Sequence, residues 1–285
     1  MGKLFGTDGI RGVVGENLTA ELAYRVGQAV TMVLYEEKGE MPLITIGMDT
    51  RISSDMLESA MIAGITSVGG SVMPLGTIPT PAVAYLTILV EADAGVVISA
   101  SHNPFEHNGI KVFNGQGYKL SDALEARVEE KVLSDQPMPI QTGAGIGKRI
   151  HGMKNVKYEY IKHLADTIQD DLGGLRVLID CANGAAAATA PDLFSKFEME
   201  ADFIHRKPNG VNINDRCGST HLKSLAAMVT AGEYDLGIAF DGDADRCLMI
   251  DERGQVIDGD KTMAVCGLYM RDQGLLTGRT IVGTV

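Results

Sequence analysis

Tryptophan is absent from these 285 residues, and aromatic side chains make up only 5% of them. So few flat side chains offer no platform for stacking unpaired bases. Positive charge is also short: 25 Lys and Arg stand against 37 Asp and Glu, leaving a net charge of -12. This excludes a broad electrostatic footprint for nucleic acid, so any anionic ligand must be held by a few local groups or a metal. Cys181, Cys217, Cys247 and Cys266 form no C-x-x-C pair and have no His at ligand spacing. Neither a zinc site nor a disulfide framework is suggested, and a reducing cytoplasm fits best. The first residues, Met1 to Gly9, lack the apolar core of a signal peptide, and no run approaches the roughly 18 apolar residues of a membrane span. A soluble, cytoplasmic protein with no membrane association is expected.

What is present is an ordinary globular composition, 45% apolar and 22% charged, in a chain long enough for two domains and part of a third. Short apolar runs alternate with longer amphipathic stretches, the pattern of an α/β protein. Strands are expected at Leu43–Met48, Ser71–Leu75 and Gly95–Ser99, with helices near Ser53–Val68, Pro81–Glu91 and Asp122–Leu133. The Pro- and Gly-containing segment Ser134–Lys148 then connects to a second unit. There a helix is expected over Tyr158–Ile168, followed by a strand at Arg176–Asp180, a helix from Gly184 and a strand at Ala201–His205. A helix at Ser219–Thr230 and strands at Leu236–Phe240 and Cys247–Ile250 follow, and Asp258 opens a helix toward Met270. The expected domains are 1–150, 151–252 and the opening of a third at 253–285. The apolar run Thr280–Val285 predicts a strand with nothing to cover it, so an incomplete chain is expected. A strand followed by a polar loop recurs at Ile46–Asp49, Leu178–Cys181 and Ile281–Thr284, a weak sign of tandem related domains.

Asp241-Gly242-Asp243-Ala244-Asp245-Arg246 places three carboxylates at alternate positions directly after an apolar strand. At about 4 Å and an effective dielectric near 20, each like-charged pair costs roughly 4 kcal/mol, so a partly buried cluster needs a cation. Dense carboxylate oxygen suits Mg²⁺ or Ca²⁺ rather than zinc. A solvated acidic turn is the plain alternative. An EF-hand is disfavoured because its glycine position is Arg246 and its flanks look like strands. An aspartyl-nucleophile phosphatase, with Asp241 attacking phosphate, stays open.

Gly95 to Lys111 runs from a buried-strand pattern into a loop with two turn signals, Asn103-Pro104 and Asn108-Gly109, which leaves Ser101 exposed at a strand end. A free serine is a poor nucleophile, and His102 next to it would usually point elsewhere. By itself Ser101 would be a turn former. If it carries phosphate, that group adds roughly -1.5 to -2 charge and three acceptor oxygens, a further ligand for an ion held by the three aspartates. Lys111 and Arg246 are then cations placed around a transferring phosphoryl group.

These motifs, with Phe5-Gly6-Thr7-Asp8-Gly9-Ile10-Arg11-Gly12, Gly47-Met48-Asp49-Thr50-Arg51, Ser99-Ala100-Ser101-His102-Asn103-Pro104 and Cys217-Gly218-Ser219-Thr220-His221, resemble the α-D-phosphohexomutases. Within that family they are most similar to the bacterial branch acting on glucosamine phosphates. The resemblance implies tandem α/β/α sandwich domains, two complete and a third truncated. It implies a phosphoserine at Ser101 and one Mg²⁺ held by Asp241, Asp243, Asp245 and the Ser101 phosphate. Lys111 is implied as an acid/base and Arg11 as a phosphate contact, with Arg246 on the substrate and His102 a lesser catalytic candidate. The implied substrate is a phosphosugar, passing through a bound bisphosphate, and glucose or mannose phosphates are the rival substrates. The family's sugar-reading loop and final phosphate-gripping loop have no counterpart before residue 285, so negligible turnover is expected of these residues alone. Asp49 and Arg51 are expected to start a helix with Ser53 and Ser54 rather than touch substrate. No sequence feature names a protein partner, and a homo-oligomer is left open.

Overall fold

The computed structural model describes residues 4–283 apart from Thr7 and residues 152–154. The first sheet contains β1 (Ile10–Val13), β2 (Leu43–Met48), β3 (Ser71–Thr77), β4 (Ala94–Ile98) and β5 (His107–Asn114), in the order β1-β5-β4-β2-β3. Strands β4, β2 and β3 are parallel, while β5 and β1 extend the sheet antiparallel. Every residue of β4 is buried, as expected of a strand covered on both faces. Ala94, Val96 and Ile98 join one core with helices α1 (Ala20–Lys38), α2 (Ser54–Ser67) and α4 (Asp122–Leu133). Val97 faces the opposite core under α3 (Thr80–Leu89).

Helix α1 has clear ends. Thr19 caps it by accepting the N–H of Leu22, and Gly39 stops it in the left-handed conformation with its N–H on the Tyr35 carbonyl. Its inward face includes Gly27, Gln28 and Thr31, because α1 presses closely on α2. A side chain at Gly27 would meet the Met61 carbonyl at 2.7 Å.

The segment after α4 lies along the outer edge of the first sheet. Val72 donates its N–H to Lys148, and Ile150 donates to Val72. Helix α5 (Val156–Asp166) then shares a core with α3: Tyr160 and Leu164 pack with Ile78, Val83 and Leu86, and His163 stacks on Tyr85.

The second sheet repeats the plan of the first. It holds β6 (Arg176–Asp180), β7 (Glu200–Ile204), β8 (Leu236–Phe240), β9 (Cys247–Asp251) and β10 (Val256–Ile257), in the order β10-β9-β8-β6-β7. Two of its strand pairings are again parallel and two antiparallel. One face packs on the short α6 (Ala190–Phe194) and the other on α7 (Leu222–Ala231). The Ala-rich stretch after Gly184 is mostly a 3-10 turn rather than the expected helix.

Helix α8 (Gly259–Asp272) follows, with Val265, Leu268 and Tyr269 exposed. The expected strand at 280–285 is not found over residues 280–283, and 284–285 lie outside the described residues. A strand needs a paired neighbour; here Ile281 instead turns back onto α8 at Gly267. The two complete sheets therefore carry the repeat suggested by Ile46–Asp49 and Leu178–Cys181, and the third instance has no strand among the described residues.

Candidate active site

The two sheets present equivalent strand ends to each other. Ser101 follows β4, and the acidic loop follows β8, the matching strand of the second sheet. Such C-terminal strand ends are where parallel sheets bind ligands.

Ser101 is not exposed as expected but buried, because the loops of the second unit close over it, and it is held at φ +54, a conformation few non-glycine residues adopt. A network stabilises it. The Ser99 hydroxyl donates to Asp49 Oδ2 at 2.6 Å and accepts the Ser101 N–H at 2.9 Å. The Ser101 carbonyl accepts from Arg51 Nη2 at 3.0 Å and from Asn214 Nδ2 at 2.9 Å. The same two donors reach the Asn103 carbonyl at 2.8 and 3.1 Å. So fixed, the Ser101 hydroxyl donates to Asp241 Oδ2 at 2.6 Å, across 140 positions of sequence.

Asn103-Pro104 turns as expected, but Asn108-Gly109 does not. Both lie within β5, paired with Gly12 and Arg11 of β1. Asn108 satisfies its side chain on Ser53 and Ser54, and a side chain at Gly109 would meet the Ser99 carbonyl at 2.6 Å. The pair is there for close packing rather than for reversal.

The acidic loop joins β8 to β9, so it lacks the helical flanks of an EF-hand. One oxygen from each of Asp241, Asp243 and Asp245 lies within 4.8 Å of the others. Asp243 Oδ2 accepts from Thr80 Oγ1 at 2.7 Å and Lys111 Nζ at 2.9 Å, while its Oδ1 is buried without a hydrogen-bond partner. Lys111 also lies 3.4 Å from Asp245 and 3.4 Å from Asp8, which pairs in turn with Arg11. Gly242 is required by contact: a side chain there would meet the Ser101 carbonyl at 2.6 Å.

Burial, then the charge of Asp243, pushes the Asp241 carboxyl up to about 7, against the lowering effect of the Ser101 hydrogen bond. Burial alone would raise Asp243 too, but Lys111 and the Thr80 hydrogen bond hold it below the usual carboxylate range. Burial works against the charge on Lys111, yet Asp243, Asp245 and Asp8 raise its pKa, so it is a cation at neutral pH. One lysine thus serves three carboxylates. An orphaned buried oxygen, a carboxylate that ionises only near neutrality and an all-oxygen donor set together fit a hard divalent cation.

The remaining candidates are more peripheral. His102 Nδ1 lies 3.5 Å from the Ser101 hydroxyl, and burial, then Arg246 and Arg11, lower its pKa, which favours a neutral ring. Arg246 is half-exposed, 3.9 Å from Asp245, and its backbone N–H donates to Asp241. Arg11 borders a cavity of about 290 Å³ with Leu4, Gly6, Asp8 and Gly9, and its Nε is buried without a hydrogen-bond partner. Thr7 of the same motif lies outside the described residues.

Three contributors go unrecognised in the sequence. Asp49 does meet the start of α2, accepting from Ser54 and from the Arg51 N–H, but Arg51 itself is buried and clamps the serine loop. The Asp49-Thr50-Arg51 motif was its only signal. Asn214 and Thr80 tie the units together across their junction, and nothing in the local pattern marks either one.

Comparison with known proteins agrees with this architecture. The phosphoglucomutase/phosphomannomutase family profiles match, alpha/beta/alpha domain I over residues 2–138 and domain II over residues 158–254. The chain belongs to this phosphohexomutase family. It is 54% identical to a phosphoglucosamine mutase of Acetivibrio thermocellus, with all of this chain aligned to 64% of that protein. A phosphoglucosamine mutase of Clostridium acetobutylicum is 51% identical, with 63% of its length covered. The chain therefore spans somewhat less than two thirds of these curated relatives. Among solved structures, a phosphoglucomutase/phosphomannomutase family protein from Burkholderia thailandensis superposes with a TM-score of 0.81 at 24% identity, over 95% of this chain and 59% of that one. The Paramecium phosphoglucomutase parafusin gives 0.73 at 17% identity, over 95% and 56%. At such identities these two matches speak for the fold.

Proposed function

We propose that this chain supplies the phosphoryl-transfer machinery of a cytoplasmic phosphoglucosamine mutase, which interconverts glucosamine 6-phosphate and glucosamine 1-phosphate. The contact of the Ser101 hydroxyl with Asp241 at 2.6 Å, at the junction of two units, is the observation that carries the proposal. The name shared by relatives at 51–54% identity supports the sugar assignment. The division of labour is one unit (1–150) carrying the serine loop, a second (151–252) carrying the acidic loop, and the opening of a third α/β unit (253–285).

In this scheme Ser101 carries a phosphoryl group. The Oγ–P bond breaks as a sugar hydroxyl oxygen forms a new bond to phosphorus, giving a bisphosphate sugar, and the proton that hydroxyl releases passes to Lys111 as Lys111 gives its own to Oγ. The electron pair left on Oγ takes up a proton. Return of the other phosphate to Ser101, after the sugar has turned over, completes the isomerisation. Mg²⁺, held by Asp241, Asp243, Asp245 and the phosphoserine, supplies charge stabilisation and orientation for the phosphoryl oxygens. Lys111, kept protonated by its carboxylates, is suited to give the proton to Oγ and to stabilise developing charge. Arg11 and Arg246 contact phosphate groups of the sugar, and His102 orients the serine loop as a neutral ring.

The test is peptide mass spectrometry after incubation with Mg²⁺ and glucosamine 1,6-bisphosphate. One stable phosphate on the Ser101 peptide, absent in Ser101→Ala, is expected. Labile phosphate on Asp241 with release of inorganic phosphate would favour the phosphatase chemistry instead and refute the proposal.

A further inference from the structure

The second unit holds a group of donor atoms for which the proposed reaction has no use. Asp180 at the end of β6, His205 just after β7 and Cys217 in the loop before α7 each place one ligand atom within 4.8 Å of the other two. Asp180 and Cys217 are buried. His205 Nδ1 is shut off from solvent and has no hydrogen-bond partner, although it lies 3.1 Å from Asp180 Oδ1. The Asp180 carboxylate is fixed by backbone donors: Oδ1 accepts from Ala182 and Oδ2 from Gly218, both at 2.9 Å. Each oxygen keeps a further lone pair for a ligand. Among the described residues, no Lys or Arg pairs with this buried carboxylate, and His205 is its one ionisable partner.

A nucleophilic Cys–His–Asp set does not account for the group. Burial, with the charges of Asp180 and Asp215, pushes the Cys217 thiol up to about 12, so it offers almost no thiolate at neutral pH. What the group lacks is a cation that accepts sulfur, nitrogen and oxygen together.

We propose that Asp180, His205 and Cys217 form a second metal site, distinct from the acidic loop, that takes a borderline-soft divalent ion such as Zn²⁺ with water as its fourth ligand. One carboxylate and one thiolate balance such an ion to neutrality. Tetrahedral zinc, with bonds of about 2.0–2.3 Å, needs ligand atoms roughly 3.3–3.7 Å apart, so from separations within 4.8 Å the group must contract by about 1.5 Å at most. The partly exposed His205 ring gives the ion and its water a way in.

Its position gives the site a task. The Ala182 carbonyl accepts the Asn214 N–H at 2.9 Å, and Ala185 donates to the Gly242 carbonyl at 2.8 Å. A metal on Asp180 and Cys217 pins the loops that present Asn214 to Ser101 and back the acidic loop. Its occupancy thereby reaches the serine.

Titration of the metal-stripped chain with Co²⁺, under saturating Mg²⁺, tests this. About one equivalent should produce intense visible bands and a near-ultraviolet sulfur-to-cobalt charge-transfer band, which Zn²⁺ abolishes. Cys217→Ser should lose the near-ultraviolet band. His205→Gln should weaken Co²⁺ binding at least tenfold, and the double variant Asp241→Asn/Asp243→Asn should keep the band. Should Cys217→Ser not fold, as judged by circular dichroism, His205→Gln decides alone. The proposal is overturned by absence of the band in the parent chain, by its survival in folded Cys217→Ser, where the exposed Cys247 or Cys266 would be its source, by its loss in the double aspartate variant, or by unchanged affinity in His205→Gln.

Discussion

The proton on Asp241 should compete with the metal. With that carboxyl near 7 in the metal-free protein, about a tenth of it is ionised at pH 6 and about nine tenths at pH 8. A divalent ion binds the ionised form, so Mg²⁺ affinity for the unphosphorylated chain should be about tenfold weaker at pH 6 than at pH 8. Asp243, held low by Lys111, is ionised throughout and adds no slope. Folding is linked in the opposite sense. The native carboxyl lies above its unfolded value of 3.8, so between about 4 and 7 the native state holds a proton that the unfolded state has released. Metal-free stability should therefore fall as pH rises across that window, by at most about 4 kcal/mol at roughly 1.4 kcal/mol per unit, and added Mg²⁺ should restore it. Calorimetry in buffers of different ionisation enthalpy reads this directly: nearly one proton released per Mg²⁺ at pH 6, and almost none at pH 8. Asp241→Asn should lose the pH dependence. Equal affinity at both pH values in the parent chain, with no proton release, would refute the electrostatic account of the loop.

Other substitutions probe the supports of the site. Arg51→Met removes two hydrogen bonds to the serine loop and leaves Asp49 buried without its cation, so urea denaturation should show a loss of about 3–5 kcal/mol; less than about 1 kcal/mol would contradict the clamp. Gly242→Ala puts a methyl group 2.6 Å from the Ser101 carbonyl, and Mg²⁺ affinity should drop at least tenfold with a lowered melting temperature. Lys111→Met should have divided effects: phosphate transfer to Ser101 slower by about 10²–10⁴, yet Mg²⁺ bound more tightly because a competing cation is gone. Weaker Mg²⁺ binding in that variant would mean that Lys111 organises the loop rather than neutralising it.

Strands packed on both faces were legible, since β2, β6 and β8 are mostly apolar runs whose ends match their pattern. The first 42 residues were not. Helix α1 has its Thr19 and Gly39 end signals, but Gly27, Gln28 and Thr31 on its buried face interrupt the apolar stripe because close contact with α2 requires small and hydrogen-bonding residues there. Strand β5 was hidden by Asn108-Gly109, whose local turn chemistry gives way to pairing with β1. The acidic and serine loops could be found because each concentrates its chemistry in a few consecutive residues. Arg51, Asn214 and Thr80 could not, since their roles exist only across a junction. The grouping of Cys217 with His205 and Asp180 was missed for the same reason: its members are scattered along the chain and meet only through the sheet.

The ties between Ser101 and Asp241, Thr80 and Asp243, and Asn214 and Ser101 all cross one junction within a few ångströms of each other. Prising the two halves apart would cut these ties together, so the donor group and its carboxylates should travel as a single rigid anvil. On the mechanism proposed above, whatever swivelling a bisphosphate needs between its two transfers would then be done by the sugar, tumbling above a surface that does not yield.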